Sequence, residues 1–317
     1  MTRRDGGGET TTAPSASEPL RRVRIHHLNC GTMCPPFARL VNGRGGLFSR
    51  GRMVCHCLLV ETRDGLALVD TGLGTADIED PRGRLGGAFA AIMGAPLARE
   101  ETALAQVARL GFQRSDVRHL LPTHLDLDHA GGLSDFPDAT VHLFRREHEA
   151  AYAPRSLLER ERYRPMQLAH GPKWRLLETG GEAWFGFESV RAIGGTDDEV
   201  LIVPLVGHTR GHCGIAVRGE GGRWVLHAGD AYFFHAEVHE DPPRSTPLLA
   251  GFQRLVEVDR EKRLSNQRRL RELAREHGGE VTIVSAHCPV ELERAVGEAA
   301  TRPAVSGGTL ESATSAT

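Results

Sequence analysis

The decapeptide THLDLDHAGG, residues 123–132, places four potential metal ligands within six positions: His124, Asp126, Asp128 and His129. A structural zinc ion needs four ligands, and cysteine or histidine pairs usually supply them from separated turns. The four ligands of this stretch lie too close together in the sequence for that arrangement. His124 and Asp126 are two residues apart and face the same way in an extended segment, whereas the glycines that follow permit a tight turn that redirects Asp128 and His129. The stretch therefore predicts two adjacent metal ions that also bind ligands from other segments.

Three downstream segments each place a potential ligand directly after an apolar, strand-like run. These segments are VPLVGHTRGH with His208, WVLHAGDAYF with Asp230 and VTIVSAHCPV with His287. Strand ends are rigid positions for ligands. We expect these side chains to complete the metal site.

Composition narrows the class of protein. The chain has 317 residues, 40% of them hydrophobic, which suffices for a sizeable core in one large domain or two small ones. Its 39 basic and 41 acidic residues nearly cancel, so the net charge of −2 creates no field that attracts nucleic acid or an anionic membrane. We expect a small-molecule substrate, no nucleic-acid or membrane partner, and leave a homodimer open.

The two ends of the chain differ from its middle. Residues 1–20 and 303–317 are rich in Gly, Ser, Thr and Pro, and we expect both to be disordered tails around a domain at residues 21–302. No run approaches the roughly 18 apolar residues of a membrane span, and the N-terminal segment lacks an apolar signal region. The expected location is the cytoplasm, with reduced cysteines.

Short β-rich runs dominate both halves of the domain and helical patterns separate them. MVCHCLLVET at 53–62 is typical of the strands, and residues 248–279 read as one long amphipathic helix ending at glycine. This pattern predicts a sheet sandwich covered by helices.

The segment at about 145–198 shows no strong pattern but concentrates the scarce aromatic residues, so we expect a cap or insertion there. They are Tyr152, Tyr163, Trp174, Trp184, Phe185 and Phe187. Such rings either line a substrate pocket or anchor the segment to the domain, and the sequence leaves both interpretations open. His170 in the same segment is a further candidate for the pocket.

Five motifs in this order resemble those of the metallo-β-lactamase superfamily: LVDTG at 68–72, THLDLDHAGG, GHTRGH, GD and AH. The resemblance spans roughly residues 54–290, and its character is closest to lactonase and glyoxalase II-like members. It implies an α/β fold, a four-layer αββα sandwich of two mixed β-sheets flanked by helices. It also implies a dinuclear site at one edge between the sheets.

Carried over by motif, the resemblance implies a ligand set for two divalent metal ions. His124, Asp126 and His208 would bind one ion, Asp128, His129 and His287 would bind the other, and Asp230 would bridge them. Asp128 is thereby also a candidate catalytic residue. Asp70 resembles the family's aspartate that orients a ligand histidine.

Asp126 departs from the HxHxDH pattern of most hydrolases in the superfamily, because it stands where they have a second histidine. The carboxylate adds one negative charge and hardens the first site, which shifts preference towards Fe or Mn. We nevertheless expect zinc first, with Fe or Mn as alternatives.

Tyr232 lies two residues after Asp230, where a phenol could donate to an oxyanion. N-acyl homoserine lactonases of this superfamily have a tyrosine shortly after the bridging aspartate, so we predict a catalytic Tyr232. The alternative is a core tyrosine.

The leading hypothesis is a dinuclear hydrolase that uses a bridging hydroxide on a small lactone, ester or thioester. The alternatives are an iron-dependent redox enzyme of the diiron or sulfur dioxygenase type, and a metal-containing binding protein with little turnover.

His212 and His227 are expected to support ligands rather than bind metal. Cys30, Cys34, Cys55 and Cys57 do not match common zinc spacings and are expected to be buried thiols.

Overall fold

The computed structural model describes residues 23–194, 196 and 199–301, so both predicted tails lie outside the described residues. In this part of the chain the strands are Arg24–Met33 (β1), Met53–Thr62 (β2), Gly65–Val69 (β3), Val117–Leu121 (β4), Thr140–Phe144 (β5), Lys173–Leu177 (β6), Glu182–Trp184 (β7), Phe187–Ala192 (β8), Val200–Pro204 (β9), Cys213–Arg218 (β10), Trp224–His227 (β11) and Val281–Val284 (β12).

The α-helices of the described residues are Ala38–Asn42 (α1), Thr75–Glu79 (α2), Pro81–Leu85 (α3), Gly87–Met93 (α4), Ala103–Arg109 (α5), Leu127–Ala130 (α6), Arg145–Tyr152 (α7), Leu157–Arg162 (α8), Pro165–Leu168 (α9), Pro247–Val256 (α10), Arg260–His277 (α11) and Pro289–Thr301 (α12). Short 3₁₀ helices lie at Arg99–Glu101, Arg114–Asp116, Gly131–Asp135, Glu220–Gly222 and His235–Glu237. No helix within the described ranges is both long and apolar enough to cross a membrane.

The strands form two mixed sheets. The first has the order β1-β2-β3-β4-β5-β6, antiparallel from β1 to β3 and parallel from β3 to β6. The second has the order β12-β11-β10-β9-β8-β7, in which only β11 and β12 are parallel. In both sheets, several strands therefore end at the same edge.

The sheets pack face to face, and helices cover their outer faces. Leu58 and Val60 of β2 pack with Ile202 and Ile215 of the second sheet in one buried cluster. Cys57 and Leu59, which alternate with them, point to the other face and pack with α5. On the far side, α11 packs Leu270 and Leu273 against the second sheet. The predicted four-layer αββα sandwich is confirmed.

The prediction of one long helix over residues 248–279 is wrong, because the chain forms two helices there, α10 and α11, with a break between them. The backbone carbonyl of Gly207 accepts from the N–H groups of Val258 (2.9 Å) and Asp259 (3.0 Å). The Asp259 side chain then accepts from Lys262 N (3.0 Å) and caps the start of α11. Amphipathic spacing continues through the break, so periodicity alone could not reveal it.

The segment at 145–198 is built into the sandwich. After helices α7, α8 and α9, its strand β6 extends the first sheet, while β7 and β8 extend the second. Its two tryptophans lie on these strands. Trp174 of β6 packs beside the core of the first sheet, and Trp184 of β7 packs beside the core of the second sheet. Trp184 also meets Trp224 edge to face, with 5.4 Å between ring centroids. These two tryptophans anchor the segment rather than line a pocket.

Candidate metal centre

All seven predicted ligands lie together where strands of both sheets end. His124 and Asp126 follow β4, and α6 carries Asp128 and His129; His208, Asp230 and His287 follow β9, β11 and β12. Five of the seven residues are at most 3% exposed, Asp128 is 9% exposed, and Asp126 is partly buried. Their ligand atoms fall into two groups.

The first group contains His124, Asp126, His208 and Asp230. Asp126 Oδ2 lies 3.0 Å from His208 Nε2 and 3.4 Å from His124 Nε2. Two imidazole nitrogens and carboxylate oxygens thus converge on one point, which is a donor set for a transition-metal cation.

The second group contains Asp128, His129 and His287. His129 Nε2 and His287 Nε2 face each other at 3.2 Å, and Asp128 Oδ2 lies 3.5 Å from His287 Nε2. This arrangement is a second convergent set of nitrogen and oxygen donors.

Asp230 lies between the two groups and divides its oxygens between them. Its Oδ2 is 3.4 Å from His208 Nε2 and 3.8 Å from His124 Nε2. Its Oδ1 is 3.3 Å from His129 Nε2 and 3.1 Å from His287 Nε2. One carboxylate therefore faces both donor sets.

The residues fit bound cations, because buried polar atoms at this point lack ordinary partners. His124 Nε2 and Asp230 Oδ1 are shielded from solvent yet have no well-formed hydrogen bond. Such orphaned atoms are costly in a protein interior unless something binds them. A cation in each group would satisfy them.

Neighbouring groups orient the ligands. Asp70 Oδ2 is 2.9 Å from His129 Nδ1, the role expected for it, and Asp70 Oδ1 accepts from Thr123 N at 2.7 Å. Val54 O lies 2.8 Å from His287 Nδ1. These contacts fix which ring nitrogen faces the centre.

His212 and His227 support the ligands, as expected. His212 Nε2 accepts from the backbone N–H of Asp230 (2.9 Å), while Leu205 O lies 2.9 Å from its Nδ1. His227 Nε2 lies 2.6 Å from His56 O, and its Nδ1 lies 4.0 Å from Asp70 Oδ2.

The electrostatics of the two groups differ. Burial alone would lower the pKa of His129, yet Asp230 and Asp70 hold that pKa well above its ordinary value. Burial lowers the pKa of His208 to about 4, and the nearby Arg162 guanidinium adds to this effect. In acid, a proton on His129 therefore competes with a cation for the second group.

Sequence reasoning missed Glu147, a fully buried carboxylate on α7. It accepts from Leu125 N (3.1 Å), Thr209 Oγ1 (2.7 Å), Gly211 N (3.0 Å) and the Tyr163 hydroxyl (3.0 Å). Glu147 thus joins the loop that carries His124 to the loop that carries His208. The only sign of this role in the sequence is the spacing of Glu147 and Ala150, which places both residues on one buried face of the helix.

Tyr232 requires a correction. Its side chain is fully buried in the core beneath the second sheet, and its hydroxyl donates to Glu291 Oε1 at 2.8 Å. A phenol has one hydrogen to donate, and Glu291 takes it. The predicted role of oxyanion donor is therefore wrong in this structure, and the alternative of a core tyrosine holds.

The remaining candidates lie apart from the two groups. His170 is half-buried after α9, and no metal-binding group within the described residues contains it or a cysteine. Cys30, Cys55 and Cys57 are buried free thiols as expected, whereas Cys34 is only partly buried.

Beside His287 the surface forms a shallow, mostly apolar depression. Met53, Phe233, Phe234 and Leu249 line it, and the Phe233 ring stacks on His287 with 5.1 Å between centroids. An apolar group placed here would lie directly beside the second donor set.

Comparison with known proteins agrees with this architecture. The family model described as the metallo-beta-lactamase superfamily matches residues 50–277. A probable metallo-hydrolase of Mycobacterium tuberculosis is 44% identical over 279 residues, covering 87% of this chain and 83% of the relative. An N-acyl homoserine lactonase of Bacillus thuringiensis is 28% identical over 220 residues, covering 69% of this chain and 76% of the lactonase.

Solved structures share the fold. One is an N-acyl homoserine lactone hydrolase with N-hexanoyl-L-homoserine bound at its catalytic metal center, with a TM-score of 0.62 and 22% identity. The match covers 85% of this chain and 95% of that chain. A hydrolase of the beta lactamase superfamily matches with a TM-score of 0.57 and 18% identity, covering 86% of this chain and 90% of the other.

Proposed function

The chain belongs to the metallo-β-lactamase superfamily, and from that membership we propose that it is a hydrolase with two divalent cations that opens a small lactone, ester or thioester. The observation that carries the proposal is the position of Asp230, whose two oxygens face two separate donor sets. A carboxylate in this position would hold one cation at each of its oxygens. Bound cations of this kind supply an acidified water and polarise a carbonyl.

The protein's own residues then have distinct tasks. His124, Asp126 and His208 would hold one cation, and Asp128, His129 and His287 would hold the other. Asp70 keeps the Nε2 atom of His129 directed at the centre by its contact with Nδ1 (2.9 Å). We expect zinc in both positions, with iron or manganese as alternatives because Asp126 contributes a hard oxygen.

The apolar depression beside His287 favours a substrate with a small apolar part. Phe233 and Met53 would bury that part while the reacting carbonyl lies over the donor sets. The lactonases among the relatives make an acyl lactone the first substrate to test.

The test is a substrate panel with a matched pair of variants. Protein purified without added metal is assayed, with and without a chelator, on N-hexanoyl homoserine lactone, a p-nitrophenyl ester, an acyl thioester and a phosphodiester. We expect turnover of at least one carbonyl substrate, its loss on chelation and its recovery with Zn²⁺. Asp230→Asn should lower kcat/KM by more than about 100-fold, because an amide cannot bridge two cations as a carboxylate does.

Asp135→Asn is the control, since Asp135 is a buried carboxylate that accepts from Thr75 N (3.0 Å) outside the donor sets. It should retain kcat/KM within about threefold. The proposal is wrong if metal-loaded protein hydrolyses none of the carbonyl substrates. Oxygen consumption by an iron-loaded protein that hydrolyses none of them would assign redox chemistry instead.

A further inference from the structure

A buried arginine lies against the one candidate ligand that departs from the family's pattern. Arg162 is the last residue of α8, and its side chain is 4% exposed. Its Nε lies 3.4 Å from Asp126 Oδ1. The other oxygen, Oδ2, faces the nitrogens of His208 and His124. The Asp126 carboxylate thus has one face towards the donor set and one towards a guanidinium.

The guanidinium is fixed from two further directions. Arg162 donates from Nη1 to His208 O at 3.1 Å and from Nη2 to Val256 O. Val256 is the last residue of α10, where backbone carbonyls lack partners within the helix and a cation is favoured. Arg162 is therefore held in place independently of Asp126.

The opposite charges of Asp126 and Arg162 explain what their contact contributes to the site. A carboxylate in place of a neutral histidine adds one negative charge to a buried site. The Arg162 cation, which is buried beside it, cancels that charge, so the pair as a whole is neutral like the histidine it replaces. Burial opposes ionisation of Asp126, but Arg162 and His124 hold its pKa well below the ordinary value.

We propose that Arg162 is a positioning residue of the first cation site, which holds Asp126 in place and offsets the negative charge that this carboxylate adds. The inference rests on the proposed function, since it assumes that Asp126 binds a cation. It predicts a dependence between positions 126 and 162. A purely structural Arg162, acting only through the carbonyls of His208 and Val256, predicts none.

The test is a double-mutant cycle read out as Zn²⁺ affinity, with free Zn²⁺ set by a competing chelator and bound metal counted per chain. Asp126→His alone should weaken binding at one of two sites by at least about tenfold, because the Arg162 cation then faces a neutral ligand and a metal cation. Adding Arg162→Gln should restore affinity to within about threefold of the original chain.

Arg162→Lys in the Asp126→His background is the matched control, because it keeps the charge. That variant should stay as weak as Asp126→His. A second control, Arg263→Gln in the same background, removes a buried arginine that pairs with Glu257 at 2.5 Å and should restore nothing. If thermal melts show that the histidine variants are unfolded, Asp126→Asn, which nearly keeps the shape, replaces them in the same cycle.

Two results would overturn the inference, and they are distinguishable. If the unmutated chain binds two Zn²⁺ ions but Gln and Lys at position 162 act alike, Arg162 does not offset charge, while the proposed function stands. If the unmutated chain binds no divalent cation, whether zinc, iron or manganese is offered, both the inference and the proposed function are wrong.

Discussion

Tyr232 and Phe233 are neighbours in the segment after β11, but their side chains lie in different surroundings, and this difference decides their roles. The Tyr232 hydroxyl is bonded to Glu291 in the core, whereas the Phe233 ring stacks on His287 and lines the apolar depression. Sequence spacing drew attention to Tyr232, because a family motif has a tyrosine nearby. It could not show which side of the segment faces the two donor sets.

We therefore expect Tyr232→Phe to leave kcat within about threefold on the best substrate, since the phenol is fully buried and its hydroxyl donates to Glu291. The variant should lose about 1–3 kcal/mol of unfolding free energy, because a buried acceptor on Glu291 loses its donor. Phe233→Leu is the comparison: it should raise KM, because Phe233 lines the apolar depression. A tenfold lower kcat for Tyr232→Phe at full metal content would reinstate the phenol as a catalytic group.

At the scale of elements, sequence patterns identified the apolar strand β2 but not the strand β6. β2 is apolar on both faces because both lie in cores, and its predicted bounds match those observed, Met53–Thr62. β6 alternates between exposed and half-buried residues and lies at the edge of the first sheet. β6 pairs with β5, and the local sequence of β6 cannot specify this partner.

The parallel strands β4 and β5 also contain a histidine pair of which one member, His142, is buried. His119 Nδ1 and His142 Nε2 lie 3.0 Å apart, and His142 is 1% exposed. Burial, with His119 beside it, lowers the pKa of His142 to about 3. Between this pH and about 6.5 the unfolded chain binds a proton that the folded chain does not, so acid destabilises the fold.

His142→Leu should remove this proton uptake. Between pH 7 and pH 5 the original chain should lose about 2 kcal/mol more unfolding free energy than the variant, measured by denaturant titration at both pH values. Leu143→Ala, a change at a buried neighbour that does not titrate, should lower stability equally at both. Equal pH dependence in His142→Leu and the original chain would show that His142 does not control acid sensitivity.

At the scale of the whole molecule, the two sheets bring distant segments to one edge. The motifs predicted this meeting because each ligand follows a strand whose end lies at that edge. The partners of the ligands were not predictable in the same way. Arg162 and Glu147 come from helices in the segment without clear periodicity, and their roles depend on contacts with loops tens of residues away.

The central claim is that Asp230 joins two cation sites in one centre. The most direct measurement is anomalous diffraction from crystals of the Zn²⁺-loaded chain, collected at the zinc edge, together with metal counted per chain in solution. We predict two peaks, one beside His124, Asp126 and His208 and one beside Asp128, His129 and His287, with Asp230 contacting both. A single peak, or two peaks of which only one contacts Asp230, would contradict this account.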